Sequence, residues 1–251
     1  VTTANGLPDD VVTSVLASSD GQIWIGTRSG LARFDGTSLS SYTRKHGLCD
    51  NLVHAVFEDS DGHVWVATPS GAMRIRPDGP IAYTVDDGLA SDHVVSFGEL
   101  RDGSVYAIGI DWSVSVFDGQ RFAASRMPMP AGSSLMWASQ AAYRDRAGRW
   151  WGLASQGLHR FEPSPATPPA FSRPARTYTV RDGLPSAAAF RVYQDRGGTV
   201  WVGTRSGEPA ENGLADMLAH YGITVEQNLV MDPQNEPFPV EVDRNVGGAV
   251  V

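Results

Sequence analysis

The sequence predicts an all-β chain built from repeated four-stranded antiparallel units, and three observations carry that reading. One frame recurs along most of the chain: SSDGQIWIGTRSGLARFDG (18–36), DSDGHVWVATPSGAMRIRPDG (59–79), RDRAGRWWGLASQGLHRFEP (144–163) and QDRGGTVWVGTRSG (194–207), with a weaker copy, LRDGSVYAIGIDWSVSVFDG, at 100–119. Its turn glycines, Gly21, Gly62, Gly103, Gly148 and Gly198, follow one another at intervals of 41, 41, 45 and 50 residues. Three positions after each stands an aromatic: Trp24, Trp65, Tyr106, Trp151 and Trp201. A second marker precedes four of the units: NGLPDD (5–10), HGLCDN (46–51), DGLASD (87–92) and DGLPSA (182–187). Periods of this length signal a repeat architecture.

The first unit shows how each element arises. VVTSVLAS (11–18) reads as strand a, and Asp20-Gly21 as a tight turn into strand b, QIWIGT (22–27). Ser29-Gly30 turns the chain into strand c, LARFD (31–35), and Asp35-Gly36 into strand d, SLSSYT (38–43). Both faces of strand b are partly apolar, so the sheet should lie between neighbouring sheets. Small residues at Gly26, Ala67 and Gly203 leave room for another backbone. Four short strands per unit of this length describe a β-propeller blade. The blades are expected near 5–43, 46–85, 87–125, 132–180 and 182–207, four of them full and the fifth partial. No unit contains an amphipathic helix, which excludes a helical solenoid, and an immunoglobulin-like sandwich would not repeat Gly and Trp at fixed intervals. The aromatic row is expected to fill the gaps between blades.

The frame DGxxWxGTxxGLxRFDG, preceded by GLPxxxVxxV, resembles the two-component regulator propeller repeat. The resemblance covers about 2–207. It is close in the first two units and looser in the third, where Ile110-Asp111-Trp112 replaces Thr-x-x-Gly. In the fourth it is interrupted by PSPATPPAFSRPA (163–175), expected as an extended loop between strands c and d. The resemblance implies a ligand-sensing or interaction propeller from the periplasmic or extracytoplasmic part of a signalling receptor. Its partners would be further blades or other receptor domains.

After Gly207 the rhythm stops. Asn212 to Tyr221 spaces Leu214, Met217, Leu218 and Tyr221 as an amphipathic helix would, ended by Gly222, and 223–232 suits a strand. LADMLAHYGITVEQNLVMDPQ, followed by NVGG, resembles the auxiliary domain of gliding-motility-type ABC transport systems. Residues 208–251 are therefore expected as a partial α/β segment. The switch falls one residue past a repeat glycine, so a truncated or chimeric chain without activity of its own is one expectation, and an incomplete ring of blades is another.

Composition narrows the functions. Lys and Arg number 20 against 28 Asp and Glu, a net charge of −8, which speaks against a nucleic acid or an anionic membrane surface as partner. No apolar run is long enough to insert in a bilayer. The lone Cys49 excludes a disulfide framework within the chain. No histidine has zinc-site spacing, most histidines are expected at the surface or in loops, and no phosphate loop or nucleophile elbow occurs. The sequence thus calls for no cofactor, no metal and no catalytic residue. A propeller-fold lyase or glycosidase is the enzymatic alternative, needing two carboxylates or a His–Tyr pair at the channel mouth.

In a propeller the d–a connections and b–c turns share one face around the channel. That face would collect Arg28, His46, Asn51, Ser70, Asp87, Asp111, Trp112, Gln156 and Arg205. An exposed aromatic among hydrogen-bonding groups suits a small polar or carbohydrate-like ligand, and Trp112, standing where a turn glycine is expected, is the first choice for that aromatic.

Overall fold

The structure is a computed structural model that describes residues 2–76, 79–135 and 140–204. Arg205 and the whole tail, including the helix expected over 212–221, the strand at 223–232 and the ABC-auxiliary resemblance, lie outside the described residues. The chain forms antiparallel sheets in sequence order. The first holds β1 (Val12–Ala17), β2 (Ile23–Thr27), β3 (Leu31–Phe34) and β4 (Leu39–Tyr42). The second holds β5 (Ala55–Glu58), β6 (Val64–Thr68), β7 (Gly71–Ile75) and β8 (Ile81–Tyr83). The third holds β9 (Val94–Glu99), β10 (Val105–Gly109), β11 (Ser113–Phe117) and β12 (Phe122–Arg126). The fourth holds β13 (Ala142–Arg144), β14 (Trp150–Ala154), β15 (Gly157–Phe161) and β16 (Arg176–Tyr178). A fifth sheet is described through β17 (Ala189–Gln194) and β18 (Val200–Thr204). Adjacent strands are neighbours in sequence throughout, as in propeller blades, and the described sheets do not close into a ring.

The core is a series of layers between successive sheets. Trp24 and Leu31 of the first sheet pack on Val56, Val64 and Val66 of the second. Trp65 packs with Phe97, Val105 and Ala107 of the third, Tyr106 with Ala142 and Trp150 of the fourth, and Trp151 with Val192 and Val200 of the fifth. Trp24, Trp65, Tyr106 and Trp151 therefore fill the gaps between sheets, each ring adding a large buried apolar area. Gly26 matters because Val53 of the next sheet lies against it: a Cβ there would meet the Val53 Cγ1 at 2.7 Å. The close approach lets the Val53 N–H donate to the Thr27 carbonyl across the gap, at 3.0 Å.

A carboxylate at the a–b turn anchors three of the indoles, and two of these carboxylates, Asp59 and Asp145, are buried. Asp59 accepts from the backbone N–H groups of Asp61 and His63 through Oδ1, and from the Trp65 indole N–H through Oδ2 at 2.8 Å. Asp145 does the same for Ala147, Arg149 and Trp151, the indole at 3.0 Å, and Asp195 holds Trp201 at 2.8 Å. One side chain thus closes the a–b turn and satisfies the buried indole donor. In the first sheet Ser18 takes the aspartate's place and the Trp24 Nε1 has no protein acceptor. In the third, Leu100 faces Tyr106, whose ring lies directly over Gly98.

Each marker sequence begins at the last residue of a single turn of 3-10 helix, over Thr3–Asn5, Arg44–His46, Val85–Asp87 and Val180–Asp182. Each helical turn is preceded by a threonine, closed by a capping box and ended by a glycine at positive φ. The leucine after that glycine, Leu7, Leu48, Leu89 or Leu184, packs into the neighbouring apolar cluster. The Pro-rich stretch runs between β15 and β16 without a strand, as its composition predicts. Its Phe171 packs on Trp150 and Phe161, and Ser125 donates to the Pro169 carbonyl at 2.5 Å.

Most of the described histidines stand at the surface or in loops, and His159 is the exception. His46 is exposed, but His159 is buried on β15, its Nδ1 2.9 Å from the Thr177 hydroxyl, and burial lowers its pKa. His54 and His93, both half-buried, face each other.

Candidate functional site

The b–c turns and the d–a connections meet at one end of the sheets because consecutive antiparallel strands return there. Two serine–aspartate bonds tie the connection to the turn: Ser29 Oγ donates to Asp9 at 2.7 Å, and Ser70 Oγ to Asp50 at 3.1 Å. The Ser29 bond comes first among the causes that hold the Asp9 carboxyl below its ordinary pKa.

Most of the side chains expected at this end are occupied by the fold. His46 accepts the Thr43 N–H through Nδ1 at 3.1 Å, Asn51 accepts the Arg44 N–H at 2.8 Å, and Asp87 accepts the Thr84 N–H at 2.9 Å. His46 and Asp87 end one-turn helices, and Asn51 caps the first residue of one from the following loop. Asp111 caps its own turn through the Ser113 N–H and pairs with Arg126 at 3.4 Å. Gln156 donates to the Gly132 carbonyl at 2.7 Å. Arg28 and Ser70 are exposed.

Trp112 departs most from its expectation. It is only 6% exposed and belongs to the cluster of Tyr106, Ile108, Met127 and Trp150. The cause lies in the turn. In the register of β10 and β11, Ile108 pairs with Val114, so the loop is one residue longer than in the first sheet, where Gly26 pairs with Leu31. Three-residue hairpin loops end in a left-handed residue, and Trp112 has φ +66°, the positive φ found at no other described non-glycine residue. Elsewhere glycine is required at the turn: a Cβ at Gly30 or Gly71 would stand 2.6 Å from the carbonyl of Tyr42 or Tyr83. The longer loop frees the third sheet from that contact and swings the indole inward. Trp112 is a core residue and offers no exposed stacking face.

What the sequence reading missed is a histidine pair. His54 stands just before β5 and His93 just before β9, beside the turn ends of β6 and β10. Their Nε2 atoms are 3.0 Å apart, with ring centroids 5.0 Å apart and planes at 13°. Rings lying face over face at that centroid distance could not bring two nitrogens so close. The imidazoles therefore meet largely edge to edge, one Nε2–H donating to the other Nε2. Burial, and then the neighbouring His93, push the His54 pKa down to about 4, against the opposite pull of Asp50. At neutral pH the His54 imidazole is uncharged and can donate or accept a proton. Cys49 lies nearby in sequence, half-buried, its thiol pKa raised by burial. Among the described residues no group of three or more His, Cys, Asp and Glu side chains could hold a metal.

A groove of about 490 Å³ opens at the opposite end, between the second and third sheets, lined by Asp59, Asp61, Arg74, Asp102 and Asp118. Its aspartates include the turn carboxylate that holds Trp65.

The family profile described as "Two component regulator propeller" matches residues 6–29 and 47–70, each from the one-turn helix glycine to the b–c turn. No curated protein matches the chain by sequence. Among solved structures, the chain resembles the extracellular domain assigned to the hybrid two component system BT3049 from B. thetaiotaomicron, at 18% identity and TM-score 0.66, covering 82% of this chain and 29% of that one. The corresponding domain of BT4673 from the same organism gives 17% identity and TM-score 0.60, covering 78% and 26%. Virginiamycin B lyase from Staphylococcus aureus gives 13% and 0.59, covering 78% and 64%. At these identities the likeness is one of fold, a β-propeller. The chain spans less than a third of the two extracellular domains. No described helix is long and apolar enough to cross a membrane.

Proposed function

We propose that this chain is a ligand-sensing or interaction segment of a propeller on the extracytoplasmic side of a two-component-type receptor, without catalytic turnover of its own. The observation that carries this reading is the double match of its first two repeats to the regulator propeller profile, on a fold shared with two receptor extracellular domains. The arrangement of polar groups is consistent with it. Asp9, Asp50, Asp87, Asn51 and Ser70 spend their hydrogen bonds on the fold, leaving exposed Arg28 and the His54–His93 pair to meet a small polar or carbohydrate-like ligand at the turn end. Titration calorimetry of the chain against neutral and acidic oligosaccharides tests this. Arg28→Ala should weaken a bound ligand by about tenfold, the worth of one charge-assisted hydrogen bond. Binding indifferent to both Arg28→Ala and His54→Gln would move the site elsewhere.

The second reading, a propeller-fold lyase, is favoured by the His54–His93 pair, because an uncharged imidazole at neutral pH is a competent general base. Turnover of a ring-containing substrate that disappears in His54→Gln, with folding intact, would replace the sensor reading by this one.

A further inference from the structure

Successive sheets are clasped at the a–b turn end by one recurring pair of side chains. Glu58, Glu99, Arg144 and Gln194 hold the same register position, at the end of a first strand. The partner stands two residues before the turn glycine of the neighbouring sheet. Ser19 donates to Glu58 at 2.6 Å, Ser60 donates to Glu99, and Arg146 donates to the Gln194 Oε1 at 3.2 Å. Between the third and fourth sheets the same two positions are Arg101 and Arg144. A guanidinium only donates, so this gap has two cations and no acceptor. Among the described residues, neither guanidinium makes a hydrogen bond or an ion pair.

Both arginines line a cavity of about 200 Å³. We propose that this cavity binds a small organic carboxylate, whose oxygens bridge Arg101 and Arg144 where the other gaps supply an acceptor of their own. The rest of the lining fits that occupant. Its wall includes the Pro-rich stretch, an insertion: β15 and β16 are joined through 162–175, whereas β3 and β4 are joined through 35–38. Insertions on a repeat scaffold are where binding surfaces are built. Phe171 packs on Trp150 and Phe161 and so fixes the stretch against the fourth sheet. Ser164 accepts the N–H groups of Ala166 and Ala170, which leaves its own hydroxyl proton to donate to an anion. Leu100, Pro165 and Pro169 add apolar surface that a bare inorganic anion would leave uncovered. The acid in the lining, Asp102, is exposed and accepts the Ser104 N–H of its own turn at 3.1 Å. The cavity lies at the end of the sheets opposite the b–c turns, so it stands apart from the ligand end proposed above.

Titration calorimetry of the 251-residue chain with benzoate, benzamide and inorganic phosphate tests the proposal. Benzoate should bind. Benzamide, of the same shape without the charge, should bind about tenfold more weakly, and phosphate should also fall below benzoate. Arg101→Gln, at an exposed position, and Arg144→Gln should each weaken benzoate by about tenfold, the worth of one charge-assisted hydrogen bond. Arg144→Glu places a carboxylate where Glu58 and Glu99 stand in their sheets. It should abolish benzoate binding without lowering the thermal midpoint followed by circular dichroism. No binding of benzoate, or binding indifferent to both glutamine variants, overturns the proposal. Phosphate bound as tightly as benzoate overturns the organic occupant. Binding lost together with a lower midpoint in all three variants would make the arginines parts of the fold, and the proposal would fail.

Discussion

The second and third sheets are built on the same frame and solve its central problem differently. The second buries an indole with a polar handle and supplies an acceptor for it: Asp59 holds Trp65, and Arg74 lies over the indole face at 5.5 Å. The third has Leu100, Tyr106 and Val116 at the matching positions, so the carboxylate, the indole and the guanidinium are all replaced together. Its turn changes as well, from glycine to a left-handed Trp112. The difference shows that the repeat is a set of coupled choices. In the second, fourth and fifth sheets the indole comes with an aspartate at its turn, whereas the Tyr106 phenol packs edge-on against Trp150 at 4.8 Å and meets the Arg144 backbone instead.

The comparison can be broken first at Trp112. Trp112→Ala should cost about 4 kcal/mol, as expected for removing a buried aromatic. Trp112→Gly, although it deletes more, should be milder by about 1 kcal/mol, because glycine relieves the left-handed backbone. Urea unfolding of the two variants measures both; an alanine variant more stable than the glycine variant would mean that the turn carries no strain. Next comes the anchor. Asp59→Ala leaves the Trp65 indole and two turn N–H groups without their acceptor, for an expected loss of about 3 kcal/mol, seen as a lower denaturation midpoint at unchanged slope.

A smaller effect sharpens the contrast with the first sheet. Trp65→Phe strands the Asp59 Oδ2 and should cost about 2 kcal/mol, but Trp24→Phe removes an N–H that has no protein acceptor and should cost about 1 kcal/mol. Equal losses would deny the anchor its role. The last expected effect is one of pH. His54 is depressed from 6.5 to about 4, so the unfolded chain binds its proton first as pH falls. Its contribution is complete above pH 6.5 and declines toward pH 4, while the carboxylates held below their ordinary pKa, such as Asp35 at about 2, lose theirs only at lower pH. Thermal midpoints should therefore fall between pH 6.5 and 4, and His54→Gln should flatten that part of the curve.

Much of the fold is legible in the sequence because the repeat exposes its own grammar. The glycines sit where turns need positive φ, and the aromatics sit where sheets meet, so both recur at fixed distances. The anchoring aspartates are equally visible, three residues before the turn glycine at Asp59, Asp145 and Asp195, but nothing in the sequence marks them as partners of an indole N–H six residues further on. Trp112 misled because its role depends on one extra loop residue, which changes the side a residue faces without changing the look of the sequence. The histidine pair was invisible for another reason. His93 occupies the place of Val11, bonded through its carbonyl to the b–c turn, and His54 stands two places further along its own repeat. No alignment of the copies brings the two together; only the approach of neighbouring sheets does.

The bonds that clasp one sheet to the next, Ser19 to Glu58, Ser60 to Glu99 and Arg146 to Gln194, span 39, 39 and 48 residues. None waits for the far end of the chain. A polypeptide delivered from its amino terminus, whether by a ribosome or through a translocation pore, can complete each apolar layer as soon as the following repeat emerges. The most recently emerged sheet always shows an uncovered aromatic, and the next repeat is its natural cover. Folding of this kind is vectorial, and its hazard is a pause: a stall between repeats holds a ring such as Trp65 or Trp151 open to any passing apolar surface.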